Sequence, residues 1–252
     1  MELDKGNSKR ERKYYELITA IVHELKTPIT TIKEAIALLT EINYSKFDNQ
    51  SKKILKIAEE ELDRLIEMVN NLLKISAIRS GSWRPKKTPN KIEEIIKEII
   101  KSYALLLKRK NLDVKTKFAP NTPKILVDRN RIREAIANII DNSVKYTPES
   151  GKITITTQML SGNNTELENL SVDPRQKYLK ITIADSGPGI AKKDLARIFD
   201  GAKFNENPRA PGSLGLGLMI TKNIIEMHKG KVWAESNNGA KFSILLPVGE
   251  VN

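Results

Sequence analysis

The sequence predicts an α-helical hairpin that forms a dimeric four-helix bundle, followed by an α/β sandwich. Three observations carry that prediction. Apolar residues recur at helical spacing as far as Leu72, a cluster of breaking residues interrupts the chain between Ser80 and Asn90, and helical and strand periods then alternate to the end.

In the first part, Ile18, Val22, Leu25, Ile29, Ile32, Ile36 and Leu39 alternate in steps of four and three, which predicts a helix from about Lys9 to Ile42 with Val22 and Leu25 on its packed seam. Leu55, Ala58, Leu62, Leu65, Val69 and Leu72 repeat the rhythm after the turn-like stretch 43–50. A lone hairpin cannot cover its own apolar seam, so pairing with a second copy is the economical solution and a homodimer is expected.

The stretch Ser80-Gly-Ser-Trp-Arg-Pro-Lys-Lys-Thr-Pro-Asn90 marks a domain boundary. Beyond it the pattern predicts a helix over Ile92 to Lys108, strands over Asp113 to Phe118 and Lys124 to Val127, and a long helix over Arg129 to Lys145 ending before Tyr146-Thr-Pro148. Strands over Ile153 to Met159 and Tyr178 to Ala184 flank an extended hairpin loop at 161–176. A short helix near Lys192 to Phe199, a helix over Gly217 to His228 and strands over Lys231 to Glu235 and Lys241 to Leu246 complete the series. Together they imply helices on one face of a mixed or antiparallel sheet.

Composition excludes several function classes. The 252 residues contain no cysteine and two histidines, which removes disulfides, thiol nucleophiles and Cys/His zinc frameworks, so any metal is expected to be a hard cation such as Mg2+. No apolar run approaches the roughly 20 residues that span a bilayer, and the polar start MELDKGNSKR is no signal peptide, so a cytoplasmic location is expected. The net charge of +12 fits a nucleic acid, an anionic membrane surface, an acidic protein partner, a polyanionic nucleotide or simply a solvated basic surface. Without an arginine-rich tract or aromatic-interleaved basic motif, no nucleic acid partner is expected.

Four clusters carry candidate chemistry. In His23-Glu-Leu-Lys-Thr-Pro28, His23 falls one step off the seam, where a neutral imidazole can offer its lone pair to phosphorus. Glu24 can orient the ring and take its proton, and Thr27 lies one turn along the same face. By spacing alone these residues better fit a surface histidine above an ordinary proline kink. Asn138 and Asn142 share one helix face, with Lys145 a turn later; they fit a cation or phosphate site, or a solvated face. Asp185-Ser-Gly-Pro-Gly189 after an apolar strand fits either a base-reading carboxylate or a turn. Gly212-Ser-Leu-Gly-Leu-Gly-Leu218 opens a helix whose amides can face phosphate, and no P-loop motif is present.

In this order the motifs resemble those of the sensor histidine kinases of two-component signalling: HELKTP their H-box, NIIDNSVKYTP their N-box, DSGPGI their G1 box and GSLGLGL their G2 box, with EMHKGKVWAES similar to the closing helix-to-strand segment. The resemblance implies a dimerisation and histidine phosphotransfer domain at 1–80, a linker at 81–90 and a catalytic ATP-binding domain of the Bergerat (GHKL) fold at 91–252. It implies that ATP phosphorylates His23, activated by Glu24, and that the phosphoryl group passes to an aspartate of a response regulator receiver domain, with Thr27 serving phosphatase activity. Asn142 would ligate Mg2+, with Asn138 and Lys145 near the phosphates and Tyr146 beside the nucleotide. Asp185 would read the adenine amine, Gly187, Gly189 and Ile190 would line the pocket, and Gly215, Leu216, Gly217 and Leu218 would form the lid and its hinge. Any membrane contact would be made through a sensor module absent from this chain.

The lid departs from the family pattern. Phe199-Asp-Gly-Ala202 interrupts the usual pair of phenylalanines, leaving Lys203 as the nearby cation, and Leu214 separates Ser213 from Gly215. An alternative reading is therefore a dimeric scaffold or phosphatase-biased protein that binds ATP without efficient turnover. A related Bergerat ATPase acting on DNA or protein clients is a third, which the HELKTP helix argues against.

Overall fold

The computed structural model describes residues 2–43, 46–162, 164–201 and 216–249, with side chains described within those ranges from residue 15 onward except at 16, 43, 79 and 169. Two compact units result, Met1–Arg84 and Pro85–Asn252.

The first unit is a hairpin of α1 (Glu2–Asn43) and α2 (Asn49–Arg79). Asp48 starts α2 by accepting a hydrogen bond from the Ser51 amide at 2.6 Å, which satisfies a first-turn donor. Val22, Ile29 and Val69 are buried where the helices meet, with Ile18, Leu62, Ile66 and Leu73 around them. Leu25, expected on this seam, is instead 47% exposed, as are Ile32, Leu39, Leu65 and Leu72 to similar extents. The apolar period therefore serves two stripes. One closes the hairpin, and the other stays open in a single chain, because a helix of a four-helix bundle meets two neighbours. Polar contacts align the hairpin: Thr19 Oγ1 lies 2.6 Å from Ser76 Oγ, and Lys33 donates to Asp63 at 2.5 Å.

The second unit is built on a five-stranded sheet in the order β2 (Asp113–Lys117), β4 (Lys152–Leu160), β5 (Tyr178–Asp185), β7 (Ala240–Pro247), β6 (Lys231–Ser236). β2 runs parallel to β4 and the remaining pairs are antiparallel, giving the mixed sheet. On one face lie α3 (Ile92–Ser102), α5 (Arg129–Tyr146) and α8 (Leu216–Met227); Ile95, Ile99, Ile132, Ile136, Ile139, Ile220 and Ile224 are buried there. α7 is a single turn, Lys192–Leu195.

Three local expectations are corrected. The helix read as continuous from Ile92 to Lys108 breaks at Tyr103, which separates α3 from α4 (Ala104–Arg109). The Tyr103 hydroxyl donates to Asp141 at 3.1 Å, and burial together with that carboxylate pushes the phenol up to about 12. Within the stretch read as a linker, Thr88–Asn90 forms β1 and pairs with β3 (Ile125–Val127). A three-residue strand holding a proline has too little alternation to be legible.

The stretch 161–176, read as an extended loop, contains α6 (Thr165–Asn169). Leu167 is fully buried with Leu160, Tyr178 and Leu245 on the sheet face away from α5, and Glu166 pairs with the nearly buried Lys180. Leu167 is thus the apolar anchor of an otherwise polar segment.

His228 ties α8 to α5. It is buried, its Nδ1–H donates to Ile224 O at 2.8 Å, and its Nε2 accepts from the amide of Asp128, the N-cap of α5, at 3.0 Å. That pair of bonds needs the neutral ring. Burial pushes its pKa below the usual 6.5; Lys87 acts in the same direction, while the Ile224 carbonyl and Asp128 oppose it. Below pH 6.5 the unfolded chain therefore binds a proton that the folded chain refuses. Stability is expected to be complete above about pH 6.5 and to fall as pH drops below it. Urea melts between pH 7.5 and 5.5 check this: the slope with pH should shrink in His228→Gln.

Candidate functional site

The hairpin presents His23 on the exposed side of α1, beside the buried Val22. Glu24 and Thr27 are exposed as well. α1 continues through Pro28, which has no N–H and so leaves the Glu24 carbonyl without an amide donor. Thr30 and Thr31 donate their hydroxyls to Lys26 O and Thr27 O just beyond the proline, at 2.9 and 3.1 Å. The imidazole is thus held on a regular helix and open to an approaching electrophile.

The second unit gathers the remaining described candidates around the C-terminal half of α5. Its buried face is Ile132, Ala135, Ile136, Ile139, Ile140, Ser143 and Val144, and this register leaves Asn138 and Asn142 half-buried on one flank, with Lys145 and Tyr146 exposed. Asn138 Nδ2 donates to Gly217 O at 3.0 Å and to Thr221 Oγ1 at 3.4 Å, fastening α5 to the first turn of α8. Its amide nitrogen is therefore engaged with protein, a role the spacing did not suggest. Lys145 Nζ lies 5.7 Å from the centre of the Tyr146 ring. Leu216 is buried and Leu218 half-buried where α8 begins.

Asp185 ends β5, and its carboxylate is oriented from three directions. Oδ1 accepts from Gly187 N at 2.9 Å and Ala240 N at 3.2 Å, while Oδ2 accepts from Ser143 Oγ at 3.2 Å. The two amide bonds fix one oxygen, leaving the other to face a ligand with Ser143 beside it. Gly187 is required at this approach, since a Cβ there would come within 2.9 Å of Asp185 Oδ1 and 3.0 Å of Tyr146 O. Ile190 N donates to Ser236 Oγ at 2.7 Å, which holds the loop through Gly189 against the end of β6.

Ser143, Ser236 and Gly239 complete this cradle, with Thr147 donating its hydroxyl to Ser143 O, and none of them was singled out from the sequence. Gly239 permits the closest approach, for a Cβ there would lie 1.9 Å from Asp185 O. Its position in Asn237-Asn-Gly239 was the available signal, a turn that returns the chain beside Asp185. Lys203 and Gly215, with Ala202, Ser213 and Leu214 of the lid, lie outside the described residues.

The donor set fits a nucleotide with a hard cation. The half-buried side chain of Asn142 makes no hydrogen bond among the described residues, so its amide oxygen is available to a metal. No group of three His, Asp or Glu side chains among the described residues could hold a metal unaided. That combination suits Mg2+, which takes one or two protein oxygens and completes its shell with phosphates and water.

Residues 14–81 match the family model of the His Kinase A (phospho-acceptor) domain. Residues 127–250 match that of the Histidine kinase-, DNA gyrase B-, and HSP90-like ATPase. The chain belongs to the sensor histidine kinases.

Among kinases of known sequence, the sensor histidine kinase WalK of Bacillus subtilis is 27% identical over 248 residues, covering 96% of this chain and 38% of WalK. The uncharacterised sensor-like histidine kinase ycf26 of Pyropia yezoensis is 31% identical over 232 residues, covering 90% of this chain and 35% of its own length. The histidine kinase described here thus spans less than two fifths of these two curated relatives. Among solved structures, full-length ShkA in complex with AMPPNP superposes with a TM-score of 0.75 at 23% identity, covering 94% of this chain and 46% of ShkA, and shares its fold. Histidine kinase ThkA in complex with the response regulator TrrA superposes at 0.63 with 25% identity, covering 99% of this chain and 67% of that one. No described helix of this kinase is long and apolar enough to cross a membrane.

Proposed function

We propose that this chain phosphorylates its own His23 from ATP and passes the phosphoryl group to an aspartate of a response regulator receiver domain. The observation that carries the reading is an exposed His23 on a helical hairpin in the same chain as the oriented Asp185 carboxylate. Residues 1–80 serve as the dimerisation and phosphotransfer domain and 91–252 as the ATP-binding domain, which also takes in β1 from the end of the stretch 81–90 read as the linker. The open stripe of Leu25, Ile32, Leu39, Leu65 and Leu72 is covered by the second copy in a homodimer.

In the ATP-binding domain, Asp185 Oδ2, which also accepts from Ser143, accepts a hydrogen bond from the exocyclic amine of adenine, and Tyr146 lies beside the base. Lys145 meets phosphate charge, and the first turn of α8 presents its amides to the phosphates. Asn142 is the protein ligand of Mg2+, which neutralises phosphate charge when bound. The His23 lone pair attacks the γ-phosphorus; an N–P bond forms, the bond to the bridging oxygen breaks, and ADP departs. Glu24 accepts the proton released by the ring, and Thr27 positions a water when phosphate is removed from the regulator. The domain works in the cytoplasm.

A chase experiment tests transfer. The chain is labelled with γ-labelled ATP and Mg2+, freed of nucleotide, and mixed with a panel of purified receiver domains. At least one should take the label within minutes in an aspartate-dependent manner. Label that stays on the kinase with every receiver, or that passes equally to receivers lacking the aspartate, would contradict the reading.

A further inference from the structure

Lys110 lies outside every motif of the nucleotide site, yet its ammonium is engaged with that site's backbone. It caps the C-terminus of α4, and its Nζ donates to Val144 O at 2.7 Å, Lys145 O at 3.2 Å and Thr147 O at 2.7 Å. Three N–H donors meet three carbonyls.

Those carbonyls belong to the last turn of α5 and its C-cap, where intrahelical partners run out and the negative end of the helix dipole lies. Val144 has a particular need, because the residue four positions on is Pro148, which has no N–H to give. Lys110 supplies the missing donor and opposes the dipole with a full charge.

The turn that follows α5 is also tied to Lys110 and the residue after it. Ser150 N donates to Lys110 O at 3.0 Å, and Asn111 Nδ2 donates to Ser150 Oγ at 3.1 Å. The last turn of α5, held by the Lys110 ammonium, carries Tyr146, whose carbonyl lies against Gly187, and Gly187 N in turn holds Asp185. Asn142, Lys145 and Tyr146 all stand on the two turns that Lys110 caps. Lys145 is exposed toward solvent, whereas the charge of Lys110 is taken up by backbone.

We propose that Lys110 is a positioning residue of the nucleotide site, fixing the end of α5 so that Asn142, Lys145 and Tyr146 meet ATP in register with Asp185. The proposal rests on the nucleotide reading given above. Lys110 acts through the α5 backbone and does not touch the substrate.

Titration calorimetry of the full chain with Mg-ADP tests it, with a thermal melt of each variant. Lys110→Met keeps the alkyl stem and removes the donors; it should weaken ADP binding about tenfold, in line with a lost charge-assisted hydrogen-bond set. Lys110→Arg should return the affinity to within about threefold of the unmodified chain, since it restores a charged multiple donor. Leu167→Ala, a cavity on the opposite sheet face, should lower the melting temperature while leaving ADP affinity unchanged. If Lys110→Met fails to fold, Lys110→Gln, with two donors and no charge, should show an intermediate loss. ADP affinity within twofold of the unmodified chain in Lys110→Met, or in its Gln substitute, would overturn the proposal. So would an equal loss of affinity in Leu167→Ala. An unmodified chain that binds no ADP would overturn the nucleotide reading and this proposal together.

Discussion

Asp185→Asn is expected to weaken ATP binding about 100-fold with the fold retained, the scale of losing a hydrogen bond to a charged group. Gly187 N and Ala240 N both donate to Oδ1, so an asparagine turns its carbonyl oxygen toward them and its NH2 toward the Oδ2 position. Ser143 can reverse its hydroxyl and accept from that NH2, which keeps the variant folded. The adenine amine cannot reverse, and donor then faces donor. Calorimetry with Mg-ATP reads the loss, and a thermal melt close to the original shows that the cradle survived. Tight ATP binding by Asp185→Asn would remove Asp185 from base recognition.

Asn142→Ala is expected to slow labelling by γ-labelled ATP about 100-fold or more, because a metal at a transferring phosphoryl group supplies several kcal/mol of charge stabilisation. The side chain is half-buried and makes no hydrogen bond among the described residues, so its removal leaves no protein donor or acceptor stranded. Stability should therefore change little. ADP affinity measured in EDTA should stay within a few-fold of the unmodified chain, while the Mg2+ concentration for half-maximal labelling should rise. Full labelling at ordinary Mg2+ would show that another group ligates the metal.

Features that depend on local pattern were legible in the sequence, and features that depend on distant partners were not. Val22 and Ile29 lie buried where their period placed them, and His23 lies exposed one step away. Leu25 was misplaced because spacing shows that a side is apolar without saying which neighbour covers it. The break at Tyr103 escaped notice since its hydroxyl answers to Asp141, 38 residues on. Leu167 was hidden in a polar stretch, where a single leucine gives no period.

The same division runs through the site. Asp185, Gly187 and Gly189 adjoin one another in sequence, so their meeting was readable. Ser143 beside Asp185, Lys110 beneath Val144 and His228 beside Asp128 join segments far apart in the chain. Each is an ordinary residue until the fold supplies its partner. The engagement of Asn138 with Gly217 belongs with these, since spacing paired it with Asn142 and only the packing of α8 reveals its other neighbour.

The most direct test of the account is incubation with γ-labelled ATP and Mg2+, comparing the unmodified chain with His23→Ala. Label that acid removes and base spares is expected on the unmodified chain, and none on His23→Ala although that variant still binds ADP. Label of equal amount on His23→Ala would contradict it.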